Sequence, residues 1–272
     1  MSVFDKMSNG WQLAMSSFKV LNANKQLIIF PILSGISSTL IIATFWGVLF
    51  GSSRWNFNYG SSGQGFFYLA LFLFYILNYF IVVYFNMALM YCTKLYFDGE
   101  EVSVAKGLQF SAGRVHTIFA WAVFSATIGL LLRIIRDNSG WVTKLITAGF
   151  GLVWSAATFL VIPVLAYENL GPIDAVKRSA ELMTQKWGEG IGSSFSFGLI
   201  FLLPGIIFVI VAMAASTYIN ESAGIFILVI CMLFLFVLSS TLRSIFISAL
   251  YSSIQGSDNT HFDQHTINGA FE

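Results

Sequence analysis

Six stretches of this sequence are too long and too apolar to be anything other than membrane crossings. Leu27–Phe50, Phe66–Cys92, Thr117–Ile135, Leu145–Tyr167, Ser194–Ala215 and Gly224–Leu250 each hold about the 20 helical residues that a hydrocarbon core demands. A chain in lipid must satisfy its backbone polar groups internally, so the crossings are helices and the fold is an all-α membrane protein. With 57% of 272 residues hydrophobic and 10% charged, little polar chain is left to build a separate soluble active site. The net charge of +1 supplies no basic field for nucleic acid, and no nucleic-acid partner is expected. Cys92 and Cys231 lie inside apolar runs, where a thiol behaves as a small hydrophobe, so no disulfide is expected. No continuous apolar stretch precedes the first crossing, which is therefore read as an uncleaved insertion signal.

The connections carry as much pattern as the crossings. Pro172–Trp187 places Ile173, Val176, Ala180, Met183 and Trp187 on one stripe of a helix, and that stripe is predicted to lie on a membrane or on other helices. Asp174 with Arg178, and Lys177 with Glu181, support its wet side at i,i+4 spacing. Pro172 suits a first helical turn and Gly188 a stop. Residues 2–21 read the same way, with Phe4, Met7, Trp11, Met15 and Phe18 on one face and Lys6 and Lys19 on the other. Val102–Gly113 is a weaker copy.

Each amphipathic stretch precedes a pair of crossings, so the chain reads as one membrane domain, 1–272, of three repeats of an interfacial amphipathic helix plus a helical hairpin. The repeat units are approximately 2–97, 98–169 and 170–254, followed by a polar tail, 255–272. Thr147, Gly151 and Ser155 have the four-residue spacing of close helix packing, and Pro204-Gly205 marks a kink in the fifth crossing. One side of the membrane receives nine basic residues, Lys6, Lys19, Lys25, Lys94, Lys106, Arg114, Lys177, Arg178 and Lys186, and the other four, Arg54, Arg133, Arg136 and Lys144. That bias puts both termini and all three amphipathic helices in the cytoplasm.

The run Tyr167-Glu168-Asn169-Leu170-Gly171-Pro172, then Ala175-Val176-Lys177-Arg178-Ser179, Lys186-Trp187-Gly188-Glu189 and Ala249-Leu250-Tyr251, resembles a bacterial family of six-span membrane proteins known only as a domain of unknown function. More loosely, proline followed by alanine, a basic residue and serine before a hairpin is similar to the membrane domain attached to some glycerophosphodiester phosphodiesterases. The resemblance implies a multi-pass protein of a bacterial inner membrane. It implies lipid-related chemistry only by analogy, because the catalytic domain of the second family is missing here.

Four polar residues in or beside the crossings are candidate contacts for lipid or substrate. Arg243 lies late in the sixth, where it can bind a lipid phosphate, snorkel to the interface or pair with Glu168. Glu168 ends the fourth, and Asn78 and Asn86 lie within the second, where amides usually serve interhelical hydrogen bonding. Lys177, Arg178, Lys186, Trp187, Trp11 and Lys19 are the residues expected to meet the membrane surface. His261 and His265 in HFDQH are i,i+4, but Phe262 stands where a zinc protease needs glutamate, so neither a metal nor a cofactor is expected. No catalytic constellation is present, and a non-enzymatic protein is expected. Two readings follow: a lipid-binding or membrane-organising protein with lipids, a protein partner or a second copy as partners, or a transporter with a central polar cavity.

Overall fold

The computed structural model describes residues 14–51, 61–137, 141–187 and 196–255. All regular elements among them are helical. Residues 14–23 form the described part of α1, and a single 3-10 turn, Lys25–Ile28, leads into α2, Ile29–Gly51. Then come α3, Ser61–Phe97, α4, Val104–Ala112, α5, Val115–Asp137, α6, Trp141–Ala157, and α7, Val161–Tyr167. The chain continues as α8, Pro172–Trp187, α9, Ser196–Tyr218, and α10, Glu221–Ile254. Six helical stretches are long and apolar enough to cross a membrane: Lys25–Gly47, Phe67–Phe97, Val115–Arg136, Ala148–Tyr167, Phe201–Tyr218 and Glu221–Ile254.

The chain divides into two compact units. One contains Met1–Pro31, Cys92–Val104 and Thr184–Glu272; the other contains Ile32–Tyr91 and Ala105–Met183. In the first, α9 and α10 form a hairpin packed along its length. Asn220 closes its turn, its side-chain oxygen accepting the Ala223 N–H at 2.7 Å as an N-cap. Small residues let the two backbones approach. A Cβ placed on Gly224 would stand 2.5 Å from the Ser216 Cβ and 2.8 Å from the Ala212 carbonyl oxygen. Among the described residues none comes close to Gly151, where a Cβ would meet nothing within 4 Å, and Ser155 is exposed. In the second unit α5 and α6 are instead held apart by rings, with Trp121 and Trp154 parallel at 6.4 Å and Phe124 6.0 Å from Trp154. Pro204 lies inside α9, which runs through it as one helix.

Burial along the longest helices is uneven. At ~1.5 Å per residue, the 37 residues of α3 and 34 of α10 are roughly 55 and 51 Å long, well beyond a hydrocarbon core of about 30 Å. The first half of α3 leaves Leu69, Leu73 and Leu77 exposed, while Met87–Cys92 are buried save for Tyr91. Likewise α10 exposes Phe226, Leu233 and Phe236 but buries most of Thr241–Tyr251. Apolar side chains left outward are what lipid contact requires. Both helices thus contact lipid over one half and protein over the other.

Gly224→Ala is expected to wedge the α9–α10 hairpin apart and lower stability by about 1–3 kcal/mol. Unfolding in mixed detergent and dodecyl sulfate, followed by circular dichroism, measures it, and an unchanged midpoint would remove the close approach from the account.

Candidate functional site

α8 meets the fourth crossing at a break beside a proline. Pro163 has no N–H and its ring crowds the carbonyl four residues back, and the fourth crossing is interrupted at residues 158–160. α6 therefore stops at Ala157 and α7 restarts at Val161, where a single continuous crossing was expected. Leu160, fully buried, has lost its helical carbonyl partner. Its N–H is taken by the Ser179 hydroxyl oxygen of α8 at 3.0 Å, and Ser179 is itself fully buried. A serine on the amphipathic helix thus completes the backbone of a membrane crossing.

That contact selects which face of α8 is inward. Ala175, Ser179, Leu182 and Met183 are buried, at helical spacing i, i+4, i+7 and i+8. The predicted stripe is divided between protein and exterior: Met183 is buried, Val176 and Ala180 are half-buried, and Ile173 is 59% exposed. The reason is steric, since alanine and serine let α8 approach the broken backbone whereas isoleucine would hold it away. In α1 Ala14, Ser17, Val20 and Leu21 are buried, while Met15 and Phe18, of the face predicted to lie on a membrane, are 42% and 45% exposed. α4 likewise buries Gly107 and Ser111.

The turn between α7 and α8 gives each position of the sequence motif a task. Asn169 adopts φ +51°, the left-handed conformation that follows a helix C-terminus and that asparagine tolerates better than most residues. Pro172 opens α8, where its fixed φ and missing N–H do no harm. Glu168, at the end of α7, accepts from the Arg178 Nε at 2.9 Å, and Arg178 also lies 3.7 Å from Glu181. Lys177 is exposed and 3.7 Å from Asp174. Tyr167 faces Phe110 of α4 at 6.1 Å, and Phe110 stacks on Tyr91 at 4.0 Å and 8°. Arg114 covers the Phe110 ring at 4.4 Å and donates from Nε to the Ala166 carbonyl at 2.6 Å. Ser111 donates to the Tyr84 carbonyl at 2.9 Å, and the Tyr84 hydroxyl donates to Leu108 at 3.0 Å. α4 and α8 are therefore fastened to one end of this unit by aromatic stacking and by hydrogen bonds to backbone.

Of the residues singled out from sequence, the structure brings Glu168 and Arg178 together. Asn78 turns its amide back onto the Phe74 carbonyl of its own helix at 3.0 Å, and Asn86 lies two turns further along α3, half-buried. Arg243, in the other unit, is exposed between buried Leu242 and Ser244. Lys19 is exposed on α1. Trp11 lies outside the described residues, as do the side chains of Lys186 and Trp187, and His261 and His265 in the tail. Sequence reasoning missed Ser179 and Pro163, although a proline within an apolar crossing was a visible signal of a broken backbone.

The model of DUF6159, a family of unknown function, matches residues 65–261. The chain belongs to that family. The match takes in α7, the Asn169 turn and α8, where the break and its serine lie. No characterised protein matches the chain in sequence.

Ser179→Ala leaves the buried Leu160 N–H without its acceptor, and a loss of about 1–3 kcal/mol in unfolding free energy is expected. An unchanged value would mean that the hydroxyl is dispensable. At Asn169, glycine is expected to be neutral and alanine destabilising by roughly 1 kcal/mol, because only the latter pays for the left-handed backbone; thermal unfolding in detergent separates the two.

Proposed function

We propose that the protein is a non-catalytic, lipid-binding organiser of a bacterial inner membrane, its termini and basic amphipathic helices lying at the cytoplasmic leaflet. One observation carries this reading. α1 and α8 bury one face each, including Ala14, Ser17, Ala175 and Ser179, and turn outward large apolar side chains, Met15, Phe18 and Ile173, beside the exposed Lys19 and Lys177. A helix with an apolar band and flanking cations, lying at the end of membrane crossings, fits the interface between acyl chains and anionic headgroups. The excess of basic residues on that side supports the same placement. The alternative, a transporter with a central polar cavity, drew on Asn78, Asn86 and Arg243; the Asn78 amide is engaged within its own helix.

Native mass spectrometry of protein extracted with its own lipids tests the proposal. Each basic residue near an anionic surface adds roughly 1 kcal/mol, so Lys19→Glu with Lys177→Glu is expected to lower retained anionic phospholipid about tenfold or more. Equal lipid retention by the two proteins, with another protein co-purifying, would replace the lipid reading by one of protein docking.

A further inference from the structure

At the other end of the second unit from α4 and α8, α3 and α5 enclose a pocket of about 350 Å³. Its described lining includes Tyr75 and Tyr79 of α3, Gly129, Arg133 and Arg136 of α5, and Ala148 of α6. Gly129, Arg133 and Arg136 fall at i, i+4 and i+7, one face of α5. Gly129 leaves room for the facing helix, since a Cβ there would touch the Tyr79 hydroxyl at 3.5 Å. Arg133 donates from Nη1 to the Tyr75 hydroxyl at 3.3 Å.

Two guanidinium groups and two phenol hydroxyls thus converge on one concavity, and the charged groups among its described lining are both cationic. Planar guanidinium forks and hydroxyl donors match the oxygens of a phosphate group. The volume lies in the usual range of ligand sites and holds a phosphate headgroup rather than a whole lipid.

We propose that this pocket is a binding site for a phosphate monoester or diester, presented by the headgroup of an anionic lipid. The depth fits: Arg133 lies one turn inside the end of α5, where charged side chains reach the headgroup layer. Val82, one turn deeper on the same helix as Tyr79, is 39% exposed and offers an apolar track for an acyl chain. The inference extends the lipid reading to residues other than those of the surface helices, so either can fail alone.

The test titrates the full-length protein in neutral detergent with phosphatidylglycerol, phosphatidylcholine or inorganic phosphate and reads its thermal stability. Wild type is expected to be stabilised by phosphatidylglycerol in preference to phosphatidylcholine. Arg133→Gln with Arg136→Gln is expected to weaken the response roughly tenfold or more, and Arg136→Gln alone, at an exposed position, to weaken it without disturbing the fold. Tyr75→Phe keeps the ring and removes one hydroxyl, and a smaller loss is expected. Displacement of the lipid by millimolar phosphate would support the phosphate chemistry while assigning it to a soluble ester. Equal responses of wild type and Arg136→Gln, or equal effects of the two lipids, would overturn the proposal. Lys19→Glu with Lys177→Glu is expected to leave this titration unchanged, which separates the pocket from the surface helices.

Discussion

The hydrogen bond from the Leu160 N–H to the Ser179 hydroxyl answers a problem that lipid cannot solve. Where the helix is interrupted before Pro163, the Leu160 N–H donates to no helical carbonyl, and hydrocarbon offers it none in return. The serine must come from another element, so α8 has to lie beside the break, at 3.0 Å from it. Once α8 is placed there, its connection to α7 is confined to the few residues Glu168–Gly171. A reversal that short requires the left-handed Asn169, a helix opening at Pro172, and a carboxylate at Glu168 within reach of Arg178. The salt bridge itself is partly exposed and contributes little beyond fixing the orientation of α8. The residues of this turn are thus tied to one backbone donor.

Much of this architecture is legible in the residues. Hydropathy marks the crossings because the requirement for about 20 apolar residues is set by the bilayer and not by packing. The start of α8 is legible because Pro172 acts locally. Its inward face is not, since a stripe of large side chains measures affinity for any apolar surrounding, and both protein and lipid qualify. Docking is decided by how near a backbone can come, which favours Ala175 and Ser179 over Ile173. The same distinction separates Gly151, whose small size leads to no close neighbour, from Gly224, whose neighbours leave no space for a methyl group.

The arginine pocket shows a different kind of illegibility. Arg133 and Arg136 read as charges marking the edge of the third crossing, which accounts for each of them singly. Their convergence with Tyr75 and Tyr79 depends on the pairing of α3 with α5, and residues 58 positions apart carry no local record of it. Aromatic side chains at an interface are ordinary, as are basic ones. Only their shared concavity distinguishes a site from a belt.

The uneven burial of α3 and α10 has a mechanical consequence. In each helix the C-terminal half is gripped by protein, and the other half borders acyl chains. A helix held in that way behaves as a cantilever anchored at one end. Changes in lateral pressure or bilayer thickness act on the free half, where a small tilt restores the match between apolar length and hydrocarbon depth. The clamped half of α3 is held by the Tyr91–Phe110 stack and by Ser111 on the Tyr84 carbonyl. Any mismatch between the apolar length of these helices and the hydrocarbon depth therefore falls on their N-terminal halves.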